Sequence, residues 1–119
     1  MDGKLWVEPV GDLIIARVRG EPTAALLRQC HDQVTALAAE ARRHRVLYDV
    51  LEMEAPPVDV PLEQWKLDKE LGDLKLRRAI VVPNTRLAYL ARLAFGDGEH
   101  RVFYSDMVAA VAWLSGADS

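Results

Sequence analysis

The sequence holds one cysteine, Cys30, in 119 residues, so no disulfide can close within the chain and no set of thiolates can cage a metal. A lone thiol agrees with a reducing compartment. Histidine is scarce too. His31, His44 and His100 stand far apart, and there is no HExxH or CxxC spacing, so neither a metal nor another cofactor is expected. A glycine-rich phosphate loop and a GxSxG elbow are also missing, which removes the commonest signatures of nucleotide and acyl-transfer chemistry. Cationic charge is not in excess. Fifteen Lys and Arg against 18 Asp and Glu leave a net charge of -3, so no overall positive field draws the chain to a nucleic acid. Long apolar runs are absent: the longest, Met107 to Leu114, is far short of the ~20 residues of a membrane span. The opening "MDGKLWVEP" has no basic stretch ahead of an apolar core, and the chain reads as cytoplasmic.

What is present is an ordinary globular composition, 50% hydrophobic and 28% charged, enough for one core and one domain over residues 1 to 119. Leu5 to Glu8 and Leu13 to Arg19 read as two strands around the turn-forming "PVGD". In the second, Ile14, Ala16 and Val18 share a face, with Arg17 and Arg19 opposite. Thr23 is placed to cap a long helix whose apolar residues, Leu26, Leu27, Cys30, Val34, Leu37, Ala38 and Ala41, recur at intervals of three and four. The segment "VLYDVL" is apolar at nearly every position, as suits a strand covered on both faces. The alternation continues with a helix from Leu62 to Leu74, a strand "RRAIVVP", a helix from Arg86 to Phe95, a strand "RVFYS" and a closing helix "DMVAAVAWL" stopped by Gly116. The order ββαβαβαβα predicts an α/β fold: a mostly parallel five-stranded sheet with an N-terminal hairpin and four helices.

This order, together with "RVLYDVLEMEAPP", "RRAIVV" and the ending "RVFYSDMVAAVAWL", resembles the STAS fold of bacterial anti-sigma-factor antagonists, and more closely the SpoIIAA-like branch. The resemblance covers essentially the whole chain. It implies a non-enzymatic regulatory domain whose protein partner meets the loop after the third strand and the helix that follows. In the antagonists that loop carries a serine that a partner kinase phosphorylates. Here Glu52 to Pro61 contains no Ser, Thr or Tyr, which puts that switch in doubt. Glu52, Glu54 and Asp59 stand there instead, either as solvated loop residues, the usual role, or as a permanent mimic of the charged state.

In open α/β sheets ligands gather at the carboxyl ends of the strands. That edge would bring together Asp49, Glu52, Asn84, Thr85, Arg86, Ser105 and Asp106. Thr85 and Asp106 are expected to cap helices. Asp49 interrupts an apolar strand and needs partners if buried, with a neighbouring loop backbone as the expected donor. Arg86 is the one cation at this edge, and an anion contact is the lesser of its readings. At the opposite rim "ARRHR", "LRR" and "EHR" gather cations, read first as neutralising helix C-termini and second as a docking surface for an acidic partner.

The helix after the acidic loop is apolar on two sides, with Leu67, Leu71 and Leu74 on one and Leu62 and Trp65 roughly opposite. Either it buries both sides, or Leu62 and Trp65 join Val58 and Val60 in an exposed patch. Trp6, Trp113, Tyr48 and Tyr104 lie in regular elements and read as core; so does Cys30. The candidate partner or ligand residues are Asp49, Glu52, Met53, Glu54, Asp59, Leu62, Trp65 and Arg86. The expected occupants are a protein, a second copy of the chain in a homodimer, or an apolar, lipid-like small molecule beneath this helix.

Overall fold

The structure, a computed structural model, describes residues 3–41, 44–71, 74–96 and 98–116. Its elements are β1 (Lys4–Val10), β2 (Leu13–Gly20), α1 (Ala24–Ala41), β3 (Arg45–Met53), α2 (Asp59–Asp68), a 3-10 turn (Lys69–Leu71), β4 (Arg77–Val82), α3 (Thr85–Phe95), β5 (His100–Tyr104) and α4 (Met107–Ser115). The predicted ββαβαβαβα order holds. The strands form one sheet in the order β1-β2-β3-β4-β5. β1 runs antiparallel to β2, and every other pair is parallel.

Because each parallel strand is added beside the last, right-handed crossovers place α1, α2 and α3 on the same face. There Ile14, Ala16 and Val18 of β2 meet Val46, Tyr48 and Val50 of β3, Ile80 and Val82 of β4, and the apolar stripes of α1 and α3. The chain then turns through Ser105, which takes a left-handed φ of 51°. This conformation costs a residue with a Cβ about 1–2 kcal/mol, and the Ser105 N–H donates to the Val82 carbonyl at 2.8 Å. The turn sends α4 to the other face, where Ala110 and Leu114 pack on Leu47, Ala79 and Val81. β3 and β4 are therefore covered on both sides, as the apolar run of β3 foretold.

On this outer face α4 packs mainly on β3, β4 and β5, and Leu13 and Ile15 of β2 border its cluster. Trp6 lies on that face and is 46% exposed, correcting its expected place in the core. Tyr104, at the end of edge strand β5, is likewise exposed. Tyr48 and Cys30 are buried as expected, and half-buried Trp113 packs against Phe103. Thr23 caps α1 through a bond from the Leu26 N–H at 3.1 Å, and Asp106 caps α4 by accepting from the Ala109 N–H at 2.9 Å. Asn84, not Thr85, caps α3. Its side chain accepts from the Leu87 N–H at 2.9 Å from an extended backbone, and Thr85 is the first helical residue. The expected apolar contacts of Ala41 and Leu71 and the cations Arg42 and Arg43 lie outside the described residues.

Candidate functional site

α2 starts three residues before the predicted Leu62. Proline at position 61 is compatible with this start, because the first turn needs no intrahelical N–H donors. The helix gives way to the 3-10 turn after Asp68, so Leu74 lies beyond it. The two-sided pattern resolves by burial of a third combination: Val60, Pro61, Gln64 and Leu67 face the domain. Relative to Val60, Trp65 sits about 140° and Leu62 about 200° around the helix. Leu62 is accordingly 43% exposed and Val58 45%, Trp65 is half-buried, and Val60, expected in the exposed patch, is only 8% exposed.

The loop before α2 is tied at its start, where the Glu54 N–H donates to the Gly20 carbonyl at 2.8 Å. Glu52, Glu54 and Asp59 are all exposed. Asp59 lies in the first turn of α2, where a carboxylate suits the positive end of the helix dipole. No side chain caps this helix start. Glu52 is held by Arg19 through two bonds, at 2.8 and 3.0 Å. Asp49 is buried, but a neighbouring loop does not satisfy it. Its register partner Arg17 donates from Nε at 3.0 Å, and the Leu51 N–H at 3.2 Å, at an irregularity in the β2–β3 pairing. Arg86 is exposed and makes no ion pair among the described residues. Of these groups at the carboxyl edge, Asp49 and Glu52 are thus engaged in ion pairs with arginines of β2.

Beneath α2 lies an apolar cavity of about 70 Å³, lined by Val60 and Gln64 of α2, Cys30 of α1, Tyr48 of β3 and Leu90 of α3, with Met53 and Pro56 from the loop. Burial pushes the Cys30 thiol up to about 12 and raises the Tyr48 phenol, so both stay neutral. Trp65 does not line this space, a correction to the pocket expected beneath it. Its indole faces a second cleft of about 710 Å³ at the opposite rim, where the parallel strands begin. There Lys69 Nζ stands 4.1 Å from the Trp65 ring centroid.

Under that cleft is the feature that sequence reasoning missed. Arg78 is 2% exposed. Its guanidinium forms a two-point ion pair with Asp68, one contact at 2.9 Å, and lies 4.6 Å from the Phe95 ring centroid. Gly98 is pressed against it: a Cβ there would fall 1.8 Å from Arg78 Nη2. Period-two alternation carried the signal, since it puts Arg78 on the same face as Ile80 and Val82. Its neighbour Arg77 points to the other face. It stacks at 3.8 Å on Trp113, pairs with Glu99 at 3.0 Å and donates to the Trp113 carbonyl at 2.9 Å, neutralising the C-terminus of α4. His31 is buried in α1, and desolvation lowers its pKa although Glu70, Asp32 and Asp68 pull it upward. Among the described residues no group of His, Cys, Asp and Glu is placed to hold a metal, and no helix is long and apolar enough to cross a membrane.

One mixed sheet with an N-terminal hairpin, three helices on one face and a single C-terminal helix on the other defines the SpoIIAA-like class of α/β domain. An anti-sigma factor antagonist from Mycobacterium paratuberculosis superimposes with a TM-score of 0.70 at 14% identity, covering 97% of this chain and 96% of that one. An uncharacterised protein with a SpoIIAA-like fold from Shewanella loihica gives 0.65 at 20% identity, covering 94% and 93%. SpoIIAA in its unphosphorylated form gives 0.66 at 10%, covering 95% and 99%. No protein-family model and no curated protein matches the sequence. The fold is that of the anti-sigma-factor antagonists, as the resemblance implied.

Proposed function

We propose that the chain is a non-enzymatic regulatory domain that captures a protein partner through residues 52 to 65. The observation that carries this reading is the pairing of exposed Val58 and Leu62 with exposed Glu52, Glu54 and Asp59 on one loop and helix start. Apolar residues rimmed by charge are the composition of a partner surface. Support comes from the fold shared with two anti-sigma-factor antagonists. Because the 52 to 61 loop holds no hydroxyl side chain, capture here runs without phosphorylation of that loop. A homodimer through the same face is the self-partner form of this reading.

Leu62→Glu tests it. Cross-linked complexes formed by the wild-type chain should disappear in this variant while the circular dichroism spectrum and melting temperature stay unchanged. Equal capture by both proteins would refute the assignment. The second reading, an apolar ligand beneath α2, is favoured by the predominantly apolar cavity there. Its volume is about half that of an engineered cavity of ~150 Å³ that admits benzene, so a lipid tail would have to displace α2. A native mass spectrum carrying an extra mass that denaturation removes would support this ligand reading over the first.

A further inference from the structure

We propose that the cleft at the start of the parallel strands binds a small phosphate-bearing anion. Its lining includes five permanent cations, Arg45, Lys69, Lys75, Arg77 and Arg78, against two carboxylates, Asp68 and Glu99. Among the described lining residues the formal charge is therefore +3, in a chain whose net charge is -3. Two of the cations are already spent. Arg78 holds Asp68, and Arg77 holds Glu99 and the last carbonyls of α4. Among the described residues Arg45, Lys69 and Lys75 form no ion pair; Lys69 stands over the Trp65 ring and caps the end of α2, its backbone N–H donating to the Leu67 and Lys66 carbonyls, which leaves Arg45 and Lys75 as the cations with no partner of either kind.

The three cations outside ion pairs come from three different segments: the first residue of β3, the 3-10 turn after α2 and the connection into β4. A concave wall of one sign focuses the field and concentrates counter-ions. The floor is fixed, since the Arg77 N–H donates to the His44 carbonyl at 2.7 Å and the Arg78 N–H to the Glu99 carbonyl at 3.2 Å. A volume of about 710 Å³ falls in the range of small-molecule sites, ~300–1,000 Å³, which favours a compact ligand over a polypeptide. A phosphate group, with more than one charge on a single centre and oxygens on every side, matches cations arriving from several directions better than a carboxylate does. Trp65 gives the cleft an apolar wall for whatever the phosphate is attached to.

The test is calorimetric titration at low salt with inorganic pyrophosphate, with citrate and an acetylated hexaglutamate peptide as the other arms. Pyrophosphate should bind most tightly and lose at least about tenfold in affinity in Lys75→Glu and in Arg45→Glu, with a smaller loss in Lys75→Gln. Arg86→Glu makes the same change in net charge at the opposite edge and should leave binding intact, as should Leu62→Glu. Because Leu62 belongs to the proposed partner surface, failure of that surface and failure of this site read out separately. No heat at millimolar pyrophosphate, equal loss in Arg86→Glu, or hexaglutamate binding as tightly as pyrophosphate would each overturn the proposal.

Discussion

Removing Asp68 should cost this protein more than its position at a helix end suggests. The carboxylate is the sole ion-pair partner, among the described residues, of Arg78, whose side chain is 2% exposed and lies against Phe95. Arg78 cannot shed its proton, so in Asp68→Leu it stays charged and buried. Breaking a buried pair from one side costs about 3–5 kcal/mol, whereas replacing both partners by apolar residues of similar volume is often neutral. Asp68→Leu should therefore lose ~3–5 kcal/mol, which at roughly 3–6 °C per kcal/mol for a chain of this size lowers the melting temperature by about 10–30 °C. The double variant Asp68→Leu/Arg78→Met should recover most of that loss. Urea unfolding followed by circular dichroism measures both. A single-variant loss below about 1 kcal/mol, or a double variant no more stable than the single, would show that the pair is not what fixes α2 to the sheet.

Gly98→Ala, whose new methyl group would collide with the Arg78 guanidinium, should destabilise in the same assay, and the loss should shrink in an Arg78→Met background. Val60→Ala should cost about 1.6 kcal/mol for two buried methyl groups, against less than ~0.5 for Leu62→Glu; equal costs in chemical unfolding would mean that the faces of α2 are misassigned. Cys30, with its thiol pushed up to about 12 and buried, should react with iodoacetamide only when the domain opens, so labelling at the rate of an exposed thiol in native buffer would contradict the packing. His31 titrates lower in the folded chain than in the unfolded one. The unfolded state therefore takes up its proton first, and stability is lost as pH falls below the unfolded value near 6.5. Denaturation midpoints measured across that window should fall less in His31→Gln, and identical slopes would rule the effect out.

The fold was legible because its elements are locally consistent. Ile14, Ala16 and Val18 alternate as a half-buried strand must, and Thr23 and Asp106 cap the helices they precede. The start of α2 was not, since Pro56, Pro57 and Pro61 read as loop, although the last of them falls in a first turn where proline is harmless. At the site, Leu62 and the acidic loop were visible, but the partner of Asp49 was not. Arg17 lies 32 residues away, and only the strand register brings it alongside. Arg78 was read with its neighbour as part of a basic rim, although alternation divides the two arginines between opposite faces of the sheet. The cations of the rim and an apolar space beneath α2 were both expected, but the residues that shape the cavity and the cleft were not legible, because both are spaces between elements that contribute only a few residues each.

α2 is held very differently at its two ends. At Asp68 it is clamped to β4 by a buried two-point ion pair, while at Asp59 it begins without a side-chain cap, under a loop tied at Glu54. Opening energies within one protein range from near zero to the global value, so this helix should exchange its amide hydrogens in a gradient, fastest at its first turn. α2 thus places its uncapped first turn beneath the proposed partner surface and its clamped last turn beneath the basic cleft. A partner that docks at the frayed end would register as slowed exchange there, with little change at the clamped end.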